Sequence, residues 1–396
     1  MPIALQAASV LPADASAACL VGRVWLPAPA DGPAVVAVAG DGGLVDISAS
    51  FPTMSHLLQA PQPAEAARNA AAEGSPVGTL EAALAGVAGG EDGSGGLRLL
   101  APCDLQALKA AGVTFVKSML ERVIEERAAG DAGAADQIRR TIGAEIGGNL
   151  AEIVPGSEKA ALLKDSLIKR GLWSQYLEVG IGPDAEVFTK APPMSAVGAG
   201  ADIGIHPRSA WNNPEPEVVL AVNSRGETVG ATLGNDVNLR DFEGRSALLL
   251  GKAKDNNASC AIGPFIRLFD DGFTIDDVRR AVVRLRVEGE DGFVLDGSSS
   301  LAEISRDPLD LVAQTIGRMH QYPDGVMLFT GTMFAPVEDR DTAGQGFTHK
   351  VGDVVTVASE KLGALVNRVD HADKVTPWTF GTRALMESLA RRGLLG

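Results

Sequence analysis

Residues 213–236 read NPEPEVVLAVNSRGETVGATLGND, and this stretch predicts a β-hairpin near the middle of the chain. Two runs rich in Val, Leu and Thr flank Arg225-Gly226, a short polar turn of the kind that joins antiparallel strands. Glu215 and Glu217 occupy alternate positions, so both carboxylates leave the same face of an extended strand. Asp236 ends the second run, where a returning strand could bring a third carboxylate beside that pair.

Two carboxylates on one face of a strand repel each other unless a cation or a proton lies between them. Oxygen ligands of this kind suit a hard divalent cation such as Mg²⁺ or Mn²⁺. The alternative is a solvated strand edge at which Pro216 blocks pairing with a further strand. Spacing alone leaves both interpretations open.

Further β patterns follow this hairpin along the chain. AVVRLRVEGEDGFVL predicts a second hairpin around Asp291-Gly292, and GDVVTVASEKLGALVNRV predicts a late pair of strands. Near the N-terminus, residues 25–48 predict a hairpin whose turn is Gly40-Asp41-Gly42-Gly43. The region from residue 184 onward is therefore predicted to be mainly β.

Helical patterns dominate the region before residue 184. Residues 104–127, DLQALKAAGVTFVKSMLERVIEER, predict helices that begin with Asp104 as the N-cap, and helices are expected to continue to about residue 172. Residues 60–97 predict helices followed by a glycine-rich surface turn. The sequence thus predicts an α+β fold with an N-terminal α+β domain, residues 1–183, and a mainly β domain, residues 184–396.

Composition excludes several classes of protein. The chain has 396 residues, enough for two domains, and its 45% hydrophobic and 21% charged residues are ordinary for a globular protein. A net charge of -15 argues against non-specific nucleic-acid binding, and no apolar run is long enough to predict a membrane span. Three cysteines give neither a disulfide framework nor a zinc spacing, so we expect buried thiols and a cytoplasmic protein. The apolar start lacks a preceding basic region and is interpreted as folded protein.

The order of motifs after residue 184 resembles the core of the fumarylacetoacetate hydrolase family. The motifs are FTKAPPMSAVGAG, PEPEVVL, GATLGNDVNLRDFEG, AKDNNASCAIGP, MLFTGTMFAP, FTHKVGDVVTV and LGALVNRV, and together they cover residues 184–370. The resemblance implies a catalytic domain built as a mixed β-sheet roll. It also implies that Glu215, Glu217 and Asp236 bind Mg²⁺ or Mn²⁺.

The family places two lysines at its site. One belongs to a Phe-x-Lys-x-Pro stretch and corresponds to Lys190, which the resemblance implies is a substrate-binding residue. The other follows the metal hairpin and corresponds to Lys254, although the neighbouring Lys252 is an alternative match.

Other positions carry further implications from the same resemblance. Thr332 corresponds to a position that contacts the substrate, and some members supply a further carboxylate to the metal near Asp184 or Glu186. Arg240 is a candidate substrate-binding residue, and the alternative is an ordinary surface ion pair with Asp241.

Histidine usage bears on the reaction. Hydrolases of this family resemble one another in using a His and Glu dyad, often on a mobile helix, to activate water. No histidine occurs between His56 and His206, and the helical segment expected to cover the site offers Glu121 and Glu125 instead. A water-activating dyad is therefore unsupported by the sequence, and His56 is the one histidine left as an alternative for it.

The N-terminal half and the block from Met319 to Lys350 resemble the family's sugar-acid dehydratases. This resemblance implies conversion of 2-keto-3-deoxy-D-xylonate, which is also 2-keto-3-deoxy-D-arabinonate, to 2-oxoglutarate semialdehyde in pentose oxidation. The expected mechanism passes through a metal-stabilised enolate, with Lys254, Glu121 or Glu125 as the acid and base. The alternatives are an acylpyruvate or fumarylacetoacetate-type hydrolase and a non-catalytic 2-oxo acid binding protein. The expected partners are a small-molecule 2-oxo sugar acid and copies of the chain in a homodimer or homotetramer, without nucleic acid or membrane.

Overall fold

The computed structural model describes residues 3–88, 96–128, 153–171, 173–333, 336, 338–341 and 346–395. The strands of these residues are β1 Leu20–Leu26, β2 Gly32–Val38, β3 Gly43–Asp46, β4 Ser75–Thr79, β5 Arg98–Leu100, β6 Ala107–Gly112, β7 Glu186–Ala191, β8 Asp202–Ile205, β9 Pro216–Val222, β10 Thr228–Asp236, β11 Cys260–Leu268, β12 Val282–Glu288, β13 Val294–Ser300, β14 Val326–Phe329, β15 Val354–Ser359 and β16 Gly363–His371. The α-helices are α1 Ala7–Val10, α2 Met54–Leu58, α3 Pro63–Glu73, α4 Leu80–Ala88, α5 Val116–Ala128, α6 Glu158–Lys169, α7 Gln175–Ile181, α8 Arg240–Glu243, α9 Leu250–Lys254, α10 Ile275–Arg279, α11 Pro308–Thr315 and α12 Thr382–Arg391. Short 3-10 helices lie at Ala247–Leu249 and Leu301–Glu303.

The described strands form two sheets. The larger sheet has the order β4-β3-β2-β1-β11-β10-β9-β14-β6-β7, with β5 also paired to β1. The smaller sheet has the order β13-β12-β15-β16-β8. Most neighbours are antiparallel, whereas β14 runs parallel to β6 and β16 runs parallel to β8. Both sheets are therefore mixed, and the predicted α+β, mainly β fold is confirmed.

Strand β9 lies inside the larger sheet between β10 and β14, and every one of its residues is buried. Side chains alternate along the strand. Val218, Leu220 and Val222 belong to the hydrophobic cluster that β9 shares with the smaller sheet, whereas Val219 and Ala221 belong to the cluster formed with α2 and α3. From Val218 to Val222 the strand is continuously apolar, which is the pattern of a strand covered on both faces.

The predicted hairpins are all present. β9 and β10 join through Arg225-Gly226, β12 and β13 through Asp291-Gly292, and β2 and β3 through the turn at residues 40–43. β15 and β16 form the late antiparallel pair. The glycine-rich turn expected at the end of residues 60–97 lies largely outside the described residues.

The helix predicted to start at Asp104 is wrong in its first half. Residues 107–112 form β6 between β14 and β7, and the helix begins only at Val116. The Asp104 carboxylate instead accepts hydrogen bonds from the backbone N–H groups of Met54, at 2.6 Å, and Ser55, at 3.0 Å. Asp104 therefore accepts from the first N–H groups of α2, a helix distant in sequence whose N-cap is Thr53. The sheet overrides the helix propensity of the Ala- and Lys-containing segment.

Helices α5, α6 and α7 form a third hydrophobic cluster, which includes Met119, Val123, Leu167 and Leu177. The N-terminal region also supplies β1 to β6, which hydrogen-bond into the same sheet as β9 to β11. The boundary after residue 183 stays a prediction, and the larger sheet crosses it.

Cys19, Cys103 and Cys260 are all buried and unpaired as disulfides, which confirms the prediction from their number. No helix among the described residues combines the length and apolar character needed to cross a membrane.

Candidate metal and substrate site

The β9–β10 hairpin brings three carboxylates together. Gly234 lies opposite Glu217 in the register, and the backbone N–H of Asp236 donates to the carbonyl of Glu215 at 3.0 Å. One carboxylate oxygen from each of Glu215, Glu217 and Asp236 lies within 4.8 Å of the others, and all three residues are buried. Because β9 is central, the alternative interpretation of a solvated strand edge at Pro216 is wrong.

Glu215 is held by two cations. Its carboxylate pairs with Lys254 of α9 on one oxygen and with Arg122 of α5 on the other. Burial would raise the pKa of the Glu215 carboxyl, but the charges of Lys254 and Arg122 outweigh burial and lower it to about 2. Glu215 is therefore ionised throughout the ordinary pH range.

Asp236 also pairs with two cations, and both are lysines. Its Oδ2 lies 2.9 Å from Lys254 Nζ, and its Oδ1 lies 2.9 Å from Lys190 Nζ. Burial acts to lower the pKa of Lys254, but Asp236 and Glu215 raise it above its ordinary value. Lys190 also donates to the backbone carbonyl of Val237 at 3.2 Å, so its ammonium is fully enclosed. The structure therefore brings both predicted lysines to the carboxylates, and Lys252, the alternative match, is exposed.

Glu217 differs from the other two carboxylates because its hydrogen-bond donors are neutral. It accepts from the backbone N–H of Gly331 at 2.7 Å and from the hydroxyl of Thr332 at 3.2 Å. Within the ranges that the structure describes, no Lys or Arg side chain forms an ion pair with Glu217. Burial, then repulsion from Asp236 and Glu215, raises the pKa of Glu217 well above its ordinary value. An additional positive charge would relieve this repulsion.

Glu186 starts β7 and faces the same cavity as the three carboxylates. Its register partner in β6 is Gly112, where an added Cβ would lie 2.0 Å from Glu186 Oε2. Burial, reinforced by Glu243, raises the pKa of Glu186 to about 7. Among the described residues, nothing donates a hydrogen bond or forms an ion pair with this carboxyl. Glu186 is therefore able to exchange a proton near neutral pH, whereas Asp184, the neighbouring candidate, is exposed.

Thr332, predicted to contact the substrate, also lines the cavity. Glu121 and Arg240 are instead brought to each other, with 3.5 Å between Arg240 Nη2 and Glu121 Oε2. Arg240 is buried, stacks on Trp211 at 4.6 Å and donates to the carbonyl of Pro336 at 3.1 Å, so the surface-pair interpretation is wrong. Neither Glu121 nor Arg240 is among the described residues that line the cavity.

The catalytic assignment of Glu121 and the substrate-binding assignment of Arg240 stay predictions. The side chain of Glu125, the other predicted helical carboxylate, lies outside the described part of the chain.

Sequence reasoning missed Arg122 and Glu243. Arg122 joins Glu215 to Glu243, donating to Glu243 Oε2 at 2.8 Å, and both residues line the cavity. The only signal for Arg122 was its position next to Glu121 on a helix expected to cover the site. Glu243 lies in the motif NDVNLRDFEG, but nothing in its spacing distinguishes it from a surface residue.

Several solved structures have the same fold as this chain. A structure described as 2-keto-3-deoxy-D-arabinonate dehydratase in its apo form superposes with a TM-score of 0.60 at 20% identity, covering 89% of this chain and 99% of that chain. A second structure, described as 2-keto-3-deoxy-D-arabinonate dehydratase complexed with magnesium and 2,5-dioxopentanoate, has a TM-score of 0.58 at 20% identity and the same coverage. At these identities the likeness establishes the fold.

The sequence matches a family model over about half of the chain. Residues 174–370 match the family model described as fumarylacetoacetate (FAA) hydrolase C-terminal. This part of the chain therefore has a domain of the fumarylacetoacetate hydrolase type, as its motifs predicted.

Two curated relatives each match about half of this chain. A probable 2-keto-3-deoxyxylonate dehydratase of Haloferax volcanii is 32% identical over 194 residues, which are 49% of this chain and 63% of the relative. A 2-dehydro-3-deoxy-D-arabinonate dehydratase of Saccharolobus solfataricus is 30% identical over 194 residues, 48% of this chain and 60% of the relative. The matched region thus spans less than two thirds of the length of either relative.

Proposed function

We propose that this chain is a metal-dependent dehydratase that converts 2-keto-3-deoxy-D-xylonate, also named 2-keto-3-deoxy-D-arabinonate, to 2-oxoglutarate semialdehyde. The observation that carries this proposal is the buried group of Glu215, Glu217 and Asp236, whose oxygens lie within 4.8 Å of one another beside Lys254. The names of both curated relatives support it, as does the magnesium complex of one similar structure.

The donor set fits Mg²⁺ or Mn²⁺. All three donors are carboxylates, the ligands that hard divalent cations prefer. Glu217 has only neutral hydrogen-bond donors while its pKa is raised by the other two carboxylates, so a cation placed among the three would stabilise its ionised form. A bound divalent cation would supply Lewis acidity that polarises the 2-oxo group of the substrate.

The residues around the carboxylates have distinct proposed roles. Lys254 and Lys190 keep positive charge beside Asp236 and attract the carboxylate of the substrate into a chain whose net charge is -15. Thr332 holds the Glu217 carboxylate and presents its own hydroxyl to the cavity. The predicted role of Lys254 as the base stays a prediction. Because Asp236 and Glu215 raise the pKa of Lys254 above its ordinary value, we propose instead that its ammonium acts through its charge.

Glu186 is the proposed proton carrier. Its carboxyl lines the cavity, and its pKa of about 7 allows it to accept and to return a proton near neutral pH. It takes a proton from C3 of the substrate and delivers it to the hydroxyl at C4, which leaves as water. Proton shifts in the resulting unsaturated acid then place the second carbonyl at C5.

Dehydration fits this cavity better than hydrolysis. All five histidines of the chain lie in described segments, and none of them lines the cavity. His349 is buried against Asp353, with 3.3 Å between its Nδ1 and Asp353 Oδ2. Activation of water by a His and Glu dyad therefore has no residue to perform it among those described around the carboxylates.

The test is incubation of the full chain with Mg²⁺ and 2-keto-3-deoxy-D-xylonate, followed by ¹H NMR for the semialdehyde. We expect product formation that is lost in a chelator and restored by Mg²⁺. Acylpyruvate serves as the parallel substrate, because a hydrolase would release pyruvate from it. Pyruvate release without semialdehyde would refute the dehydratase assignment, and saturable binding without turnover of either substrate would favour a binding protein.

Assembly and location complete the proposal. We propose a homodimer or homotetramer in the cytoplasm, acting on a free small molecule. Light scattering coupled to gel filtration measures the oligomeric state, and fractionation of cells measures the location.

A further inference from the structure

The cavity at the three carboxylates is too small for a whole substrate. It has a volume of about 20 Å³ and is lined by Glu215, Glu217, Asp236 and their neighbours. A cavity of roughly 10–15 Å³ holds one water molecule, so this space accommodates little more than one. The distal carbons of a five-carbon acid bound here must therefore extend into an adjoining space.

A second cavity of about 150 Å³ adjoins the first, because Glu186 and Glu243 line both. Its remaining wall includes Gln175 and Tyr176 at the start of α7, and Ala247 and Leu250 before and in α9. By the same measure of roughly 10–15 Å³ for one water molecule, the space is sufficient for a short tail of several atoms.

The charges around this second cavity are of one sign. Its charged lining residues are Glu186 and Glu243, and none of the described residues that line it is a lysine or arginine. Arg122 reaches Glu243 from the side of the three carboxylates and contacts Glu215 at the same time. A second carboxylate placed between Glu186 and Glu243 would be repelled, whereas hydroxyl groups would donate hydrogen bonds to them.

We propose that this second cavity, here called the tail cavity, binds the distal end of the 2-oxo acid and selects an uncharged, hydroxyl-bearing tail against a carboxylate. The inference rests on the proposed function and extends it to the substrate class. Glu186 and Glu243 contact the tail of the ligand, and Gln175 and Tyr176 form the polar end of the cavity wall. The chain should consequently discriminate against 2-oxo diacids.

Three ligands of five carbons isolate the effect. 2-Oxopentanoate, 5-hydroxy-2-oxopentanoate and 2-oxoglutarate share the 2-oxo acid end and differ only at C5. Isothermal titration of the full chain with each ligand, in saturating Mg²⁺ at pH 8, measures binding without requiring turnover. We expect the hydroxy acid to bind more tightly than 2-oxoglutarate by more than about ten-fold, since opposed like charges are costly in a partly buried site.

An added cation should reverse this preference. Ala247 is exposed at the rim of the tail cavity, so Ala247→Lys changes its charge without filling the core. We expect this variant to tighten 2-oxoglutarate binding at least about five-fold relative to 2-oxopentanoate binding. Ala247→Gln is the matched neutral control and should keep the parent chain's ratio of affinities for 2-oxoglutarate and 2-oxopentanoate.

The outcomes separate the two proposals. Equal or tighter binding of 2-oxoglutarate by the parent chain, or no change in selectivity in Ala247→Lys, overturns the tail cavity while leaving the 2-oxo acid site in place. Failure of all three ligands to bind in Mg²⁺ overturns the proposed function and the tail cavity with it.

Discussion

Replacing Glu186 with Gln should stabilise the metal-free protein and lower the activity of the protein in Mg²⁺. The folded chain raises the pKa of Glu186 from its ordinary value of 4.5 to about 7, and burial is the main cause. At about 1.4 kcal/mol per pH unit, this difference is equivalent to about 3 kcal/mol. Because the carboxyl is only partly enclosed, we expect a gain of about 1–3 kcal/mol in the free energy of unfolding at pH 8.

The sign of this effect depends on pH. Below pH 4.5 the carboxyl is protonated in the folded and the unfolded chain, so the parent protein and Glu186→Gln should be equally stable. Between 4.5 and 7 the unfolded chain gains free energy by ionising while the folded chain does not, and the contribution of Glu186 to stability is lost. The advantage of the Gln variant should therefore be under about 1 kcal/mol at pH 5 and reach its full value above pH 7.

Urea unfolding in a chelator at pH 5 and pH 8 measures these differences, and the semialdehyde assay in Mg²⁺ measures activity. Loss of a group that transfers protons should lower kcat by roughly 10²–10⁴-fold. Glu243→Gln is the matched control on the same cavity. Because Glu243 is paired with Arg122 at 2.8 Å, its neutralisation should destabilise the protein. A Glu186→Gln variant no more stable than the parent at pH 8, or a gain that is independent of pH, would refute this reasoning.

Three further changes test the site. Gly112→Ala should lower kcat with little loss of Mg²⁺ affinity, because its Cβ would lie 2.0 Å from Glu186 Oε2 and displace that carboxyl. Measuring kcat and calorimetric Mg²⁺ binding side by side checks this expectation. An unchanged kcat would contradict it. Lys254→Met should cost about 3–5 kcal/mol of unfolding free energy in a chelator, since it leaves buried Asp236 and Glu215 with one cation each, and added Mg²⁺ should recover part of that loss in thermal melts. Glu217→Gln should weaken Mg²⁺ binding at least about ten-fold by calorimetry, and an unchanged affinity would exclude this residue as a ligand.

The relative positions of residues within one hairpin could be predicted from the sequence. Alternation along an extended strand places Glu215 and Glu217 on one face, and the short turn at Arg225-Gly226 determines where Asp236 returns. These are local consequences of backbone geometry, which explains why the three carboxylates could be grouped without a structure. The family motifs then predicted Lys190 and Lys254, which the structure brings to Asp236.

Relations between distant segments were not accessible in this way. Residues 104–127 contain strong helix formers. The first part of that segment nevertheless forms β6, because pairing with β14 and β7 in the sheet outweighs its helix propensity. Asp104 has the side chain of an N-cap and does accept from the first N–H groups of a helix, but that helix is α2. The carboxylate of Asp104 indicated that it would accept hydrogen bonds at a helix N-terminus, and only the tertiary packing determined which helix donates them.

The sequence by itself determined the mainly β character of the second half, the burial of the cysteines and the face shared by Glu215 and Glu217, because each follows from composition or from the period of a strand. The tertiary structure alone decided that Arg122 links Glu215 to Glu243, 93 and 121 residues away, and that Glu186 lies against Gly112 with a raised pKa. The burial of a side chain and its distance to other charges depend on how separate segments pack. This packing cannot be deduced from the hydrophobic period of one segment.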